Sequence, residues 1–166
     1  MDFIDPYRAE LIREELALND KWTVPLVQNL QMNLRSKPWQ ELRDIVLALT
    51  AAGDAAIALA HLSTWDGYVT ADSSAAAVFE LFLAALSVNV AKSKAPKCWK
   101  LAVGGDGHGP FANNLLGDRR VRHLVNLLRT EPGKWDAAML DSLAGAVSQL
   151  REEAGPSPPY WAWGHR

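Results

Sequence analysis

From Ser73 to Val90 the chain reads SSAAAVFELFLAALSVNV, with Phe79, Phe82, Leu83, Leu86 and Val90 at three- and four-residue spacing and alanine at many remaining positions. That spacing gathers the large apolar side chains on one stripe of a helix. Alanine elsewhere lets neighbouring helices approach closely on nearly every side, so this run is expected to be the centre of a helical domain. Its borders are local. Gly67, after Trp65 and Asp66, is expected to close the preceding helix in the left-handed conformation, where a Cβ carries a steric cost. Asp72, Ser73 or Ser74 supplies a side-chain oxygen to cap the next helix. The run is also the most membrane-like window, but Glu80, Ser87 and Asn89 interrupt it, and a core helix explains it better than a membrane span.

The rest of the chain carries the same helical signature. Asp5-Pro6 favours helix initiation, with the helix running to about Leu18. Thr23 is placed to cap a second helix bearing Val24, Val27, Leu30, Gln31 and Leu34 on one face. Pro38 restarts the chain, and Trp39 to Leu49 with Ala51 to Leu62 read as an antiparallel helix pair. A long connection, AKSKAPKCWKLAVGGDGHGPF, then leads to two helices headed by Asp118 and Asp136. No stretch alternates with period two. The expected fold is all-α: an irregular bundle of about six to seven helices around the alanine-rich one, spanning residues 1–155. Residues 156–166 form an extended Pro/Trp-rich tail. Because Tyr160, Trp161 and Trp163 are costly to expose at a fraying end, the tail is expected to pack back onto the domain or continue into a larger protein. It is also a candidate for self-association.

Composition narrows the function. With 166 residues, 49% hydrophobic and 22% charged, the chain suits one domain with a real core. A formal net charge of -2 argues against a nucleic-acid surface, even though Lys92, Lys94, Lys97 and Lys100 cluster around Trp99. Cys98 is the single cysteine, which excludes an internal disulfide or thiolate metal cluster. The first residues show no signal-peptide pattern. GGDGHG at 104–109 lacks the preceding strand and following Lys-Ser or Lys-Thr of a phosphate loop. Asp106, His108 and His123 fit no ligand spacing, so neither a metal nor another cofactor is expected. Trp22, Trp39, Trp65 and Trp135 stand near helix ends, where they more often seal a core than bind a ligand. PSPPYW suits either a polyproline ligand or a stiff surface crossover. Ser63, Ser73 and Ser74 read as helix-end residues, because no spacing ties a serine to a histidine and an acid.

Four stretches in register carry a resemblance. LSTWDG (62–67) runs into ADSSAAAVFELF (71–82), with DPYRAELI (5–12) and LQMNLRS (30–36) before them and YWAWG (160–164) after. Together they resemble the penicillin acylase (penicillin amidase) family of N-terminal-nucleophile hydrolases, in whose β chain these elements lie. The resemblance implies hydrolysis of acyl amides, such as side-chain-acylated β-lactams, in a periplasmic or secreted enzyme cut into α and β chains. In that family the β chain's first serine attacks the acyl carbonyl and its own α-amine is the base. Met1, or Asp2 once Met1 is removed, does not match that serine. These residues are therefore expected to begin after the nucleophile and the oxyanion-hole asparagine, and to form a scaffold with no catalytic residue, inactive alone. Its partners would be the remaining α and β chain segments and, for the parent, the small-molecule acyl amide.

Arg8 matches an arginine that family members place near the active site, which implies a substrate-binding role, electrostatic and positional. The plainer alternative is that Arg8 snorkels at the helix start or pairs with Asp5. Asn33 stands where many members carry aspartate, so a charge-assisted contact there becomes a neutral hydrogen bond. Trp65, Asp66 and Gly67 are expected to be structural. The competing reading is a free-standing all-α interaction module that grips a partner with its aromatic tail or central helix.

Overall fold

The structure, a computed structural model, describes residues 6–103 and 121–165. Within them lie α1 (Tyr7–Ala17), α2 (Val24–Gln31), α3 (Lys37–Leu47), α4 (Gly53–Ser63), α5 (Ser74–Lys94), α6 (Trp99–Ala102), α7 (Val121–Thr130) and α8 (Asp136–Ala154). Two 3-10 turns, Pro158–Trp161 and Trp163–His165, follow. The fold is all-α, and the one piece of β pairing among the described residues is a single antiparallel bridge between Arg35 and Tyr68. Seven helices have eight residues or more; α6 is one extra turn inside the stretch expected to be a connection. The expected caps Asp5 and Asp118, and the 104–109 loop with Asp106 and His108, lie outside the described residues.

The alanine-rich helix is the centre of the bundle. α5 packs against α4, α6, α7, α8 and both 3-10 turns, and α4 also packs along α8. Ala75, Ala76 and Ala77 are buried beside Val78, Phe79, Phe82, Leu83, Leu86 and Val90, so small and large side chains alternate around the helix and neighbours close in on several sides. Ser73 is the residue that caps it, its Oγ accepting from the Ala76 N–H at 3.1 Å. By length and composition α5 could cross a membrane, with 21 residues and a mean hydropathy of 1.8, yet half of that stretch is buried inside the bundle.

Other helix ends follow local chemistry, with two departures. Ser36 caps α3 by accepting from the Trp39 N–H, with Pro38 in the first turn. Thr23 holds the N-cap position of α2 without a side-chain cap bond. At α8 the N-cap is Trp135 rather than Asp136, which sits in the first turn, where its charge favours the positive end of the helix dipole. Trp135 is fixed by donating its indole N–H to Glu131 at 2.9 Å. Across the bundle, Arg122 of α7 stacks on the Tyr7 ring, 4.1 Å from its centroid, and pairs with Glu10 of α1 and Glu41 of α3. Arg151 joins α8 to Asp54 of α4 at 2.6 Å.

The tail differs from the extended segment expected. Ser157 is extended, but the two 3-10 turns fold the remainder back against the start of α5. Trp161 is 1% exposed and donates to the Gly155 carbonyl at 2.9 Å. Backbone bonds from Trp163 to Ser73 (3.3 Å) and from Gly164 to Ala71 (2.7 Å) complete the seat. A Cβ at Gly164 would stand 2.7 Å from that of Ala71, which explains a glycine at this close approach. Trp161 thus belongs to the core cluster, and among the tail aromatics it is Tyr160 that is exposed. Trp161→Ala should lower the unfolding free energy by about 3–5 kcal/mol in a urea titration; a loss under ~1 kcal/mol would mean that the tail contributes no packing.

Candidate functional site

The residues singled out by the sequence meet at one seam. The Arg35–Tyr68 bridge is flanked by backbone bonds from Ser36 N–H to the Gly67 carbonyl (2.8 Å) and from Val69 N–H to the Leu34 carbonyl (2.9 Å). This brings Asn33, two residues before the bridge, to the same place as Trp65, Asp66 and Gly67. Trp65 donates its indole N–H to the Tyr68 carbonyl at 3.0 Å, and the Asp66 carboxylate accepts from the Tyr68 N–H at 3.0 Å, a side-chain turn that reverses the chain. Gly67 has φ +85°, and a Cβ there would lie 3.0 Å from Cδ1 of Trp39. Both the left-handed backbone and the indole therefore call for glycine. The Trp39 ring in turn stands 5.3 Å from both Trp65 and Phe79.

Gly67 does not itself end α4. The helix stops at Ser63, where the Ser63 hydroxyl returns to the Ala60 carbonyl (2.8 Å) and the Thr64 hydroxyl to that of His61 (3.2 Å). Those side-chain bonds compete with continued helix. Gly67 then steers the chain into the bridge.

Arg8 projects from α1 onto the C-terminal end of α2. Its guanidinium donates to the carbonyls of Gln31 (2.8 Å), Asn33 (3.2 Å) and Leu30 (3.4 Å). A cation there supplies a donor to the Gln31 carbonyl at the helix end, adds to the Asn33 N–H bond already on the Leu30 carbonyl, and complements the negative end of the dipole. Asn33 uses both ends of its amide: Nδ2 donates to Glu15 at 3.2 Å, and Oδ1 accepts from the Arg35 N–H at 3.0 Å. An aspartate could keep the second contact but not the first, since a carboxylate has no donor to offer Glu15. Arg35 adds an ion pair to Glu15 at 2.7 Å, and Lys37 pairs with Glu14 at 2.7 Å, holding the Glu14 carboxyl below the ordinary range. The unit of α1, α2 and residues 33–36 is thus tied together by amides and charges.

Other titratable groups are arranged differently. Ser74 Oγ lies 3.4 Å from His61 Nδ1, at the long limit for a hydrogen bond, and the His61 ring rests 5.6 Å from that of Trp161. Burial lowers the pKa of the His61 imidazole, favouring its neutral form. Lys92 sits over Trp99 at 4.9 Å, while Lys94 pairs with Glu131 at 3.2 Å. Bonds from Lys134, Trp135 and Lys94 keep the Glu131 carboxyl well below the usual range. His123 is exposed on α7, and no cluster of three or more metal-binding side chains occurs among the described residues.

Two features escape sequence reasoning. The Arg122 cluster depends on partners far away in the chain, which no spacing reveals. Glu80 had a visible sign, a lone carboxylate in an alanine-rich helix, and burial there pushes its pKa up from 4.5 to about 7. The folded chain therefore keeps a proton that the unfolded chain has released, and stability falls as pH rises from about 4.5 through 7. The decline should be about 2–3 kcal/mol between pH ~5 and ~8 in chemical denaturation. Glu80→Gln should flatten that slope and be the more stable form at the alkaline end; an unchanged slope would place the titration elsewhere.

The sequence model of the family described as penicillin amidase matches residues 1–166, the whole chain. No curated protein matches it. The four stretches in register and this full-length match agree: the chain belongs to the penicillin amidase family.

Proposed function

We propose that these residues are the helical scaffold section of an acylase-like amidohydrolase, whose nucleophile and oxyanion hole are supplied by other α and β chain segments of the parent protein. The observation that carries this reading is the family match across residues 1–166. In the parent, a nucleophilic hydroxyl attacks the carbonyl of a small acyl amide, the C–N bond breaks and the amine leaves carrying the hydroxyl's proton as an acyl ester forms, and water then cleaves that ester to release the acid and restore the hydroxyl. The part played by this section is to hold a wall of the acyl or amine site in place. Trp65, Asp66, Gly67 and Asn33 shape the seam that fixes the α1–α2 unit on the bundle.

Arg8 has the substrate-side role in this reading. Its guanidinium is exposed, and the carbonyls at the end of α2 hold it in one orientation. A preorganised cation of this kind can position a polar substrate group without reorganising during the reaction. The alternative of a free-standing interaction module gripping with the tail is disfavoured by the burial of Trp161.

The reading is tested by incubating the purified 166-residue chain with a chromogenic N-acyl anilide. Release of the amine should not exceed the buffer rate, because in this reading the nucleophile belongs to another segment of the parent. A burst of amine followed by steady turnover would defeat the scaffold reading.

A further inference from the structure

α1 carries three carboxylates, and the fold sets each of them against a cation from later in the chain. Glu10 pairs with Arg122 of α7, Glu14 with Lys37 at the start of α3 (2.7 Å), and Glu15 with Arg35 (2.7 Å), which also stands 3.8 Å from Glu14. The charges run one way, with carboxylates on the helix and cations on the frame that receives it. The carboxylate on the frame side, Glu41 of α3, is itself paired with Arg122 and Arg129. Of the cations on α1, Arg8 is turned onto the α2 carbonyls and Arg13 is exposed.

Apolar packing does little to back up these pairs. On α1 only Tyr7 and Leu11 are buried, whereas α5 buries nine residues. Leu11 lies outside the core cluster, and the Tyr7 ring is covered by the Arg122 guanidinium, 4.1 Å from its centroid.

We propose that α1 is an ionic strap: charge docks it onto α3 and α7, so that salt or acid releases it while the bundle of α4, α5 and α8 stays folded. Each pair is partly open to solvent, and the range of a charge falls from about 10 Å at 0.1 M salt to about 3 Å at 1 M. Such pairs are individually modest, but here three act on one helix of eleven residues. Acid works in the same direction. The hydrogen bond from Lys37 holds the Glu14 carboxyl below its ordinary 4.5, so its contribution is present above that value and is lost as the pH falls through the lower value of the folded chain. In the bundle, Lys94–Glu131 and Arg151–Asp54 respond in the same sense, yet the elements that they join also share the buried apolar core, which neither salt nor acid removes.

The strap bears on function because α1 carries Arg8. On the reading of Arg8 given above, on which this consequence rests, release takes the guanidinium off the end of α2 and withdraws it from the substrate side. Ionic conditions thereby regulate the site.

Hydrogen exchange of the 166-residue chain at neutral pH, in about 0.05 M and about 1 M sodium chloride, tests the strap. Protection of the α1 amides at residues 11–17 should fall about tenfold at high salt, with the amides of α5 unchanged. The double variant Glu14→Gln/Glu15→Gln keeps both side-chain shapes; its α1 should be poorly protected already in dilute salt and lose most of the salt response. Protection of α1 that ignores salt overturns the proposal. So does a fall shared equally by α1 and α5, or a double variant with the wild-type salt response. The wild-type comparison decides the matter even where the double variant fails to fold. A salt-insensitive α1 leaves the scaffold reading standing, whereas amine release by the purified chain removes that reading and leaves the strap in place.

Discussion

The indole of Trp39 lies where a side chain at residue 67 would have to go, and much of the architecture depends on that contact. It selects glycine at 67, which takes the left-handed turn and lets residues 67–69 run antiparallel to residues 34–36. The same indole packs against Trp65 and Phe79, so one ring joins the start of α3, the turn after α4 and the central helix. Removing Trp39 would open a cavity in the core and release the seam at once, because the packing and the backbone pairing share that side chain.

Two kinds of cohesion meet at the seam. On one side, α4, α5 and α8 are held by area: alanines permit close approach, and phenylalanine, leucine and valine fill the space between. On the other, α1 and α2 contribute little to the core beyond Tyr7 and Leu11, and are held by directed polar bonds. Arg8 fastens α1 to the end of α2, Asn33 and Arg35 share Glu15, and Arg122 reaches α1 from α7. Polar contacts that remain partly open to solvent are individually modest. The bundle is thus held chiefly by packing, while the α1–α2 unit keeps apolar side chains exposed.

Periodicity made the bundle legible. The stripe from Phe79 to Val90, the serine cap before it and the absence of alternation were enough to place α5 at the centre, since burial in helices repeats with the helix itself. Contacts between distant residues were not legible. That Gly67 faces Trp39, that Arg8 ends on the carbonyls of α2 and that Asn33 donates to Glu15 all depend on how the chain returns on itself. Motif likeness marked Arg8, Asn33 and the Trp-Asp-Gly turn as positions of interest without revealing their partners. The tail shows the same limit: composition said that Trp161 needed cover, and only the fold says that the start of α5 provides it.

The division between a self-sufficient bundle and a polar-tethered arm is tested most directly by native-state hydrogen exchange. Amides of α5 should exchange only through global unfolding, whereas those of α2 should exchange through local opening at a much lower free energy. Equal protection of α2 and α5 would contradict this account, since it would mean that the arm is part of the same cooperative core.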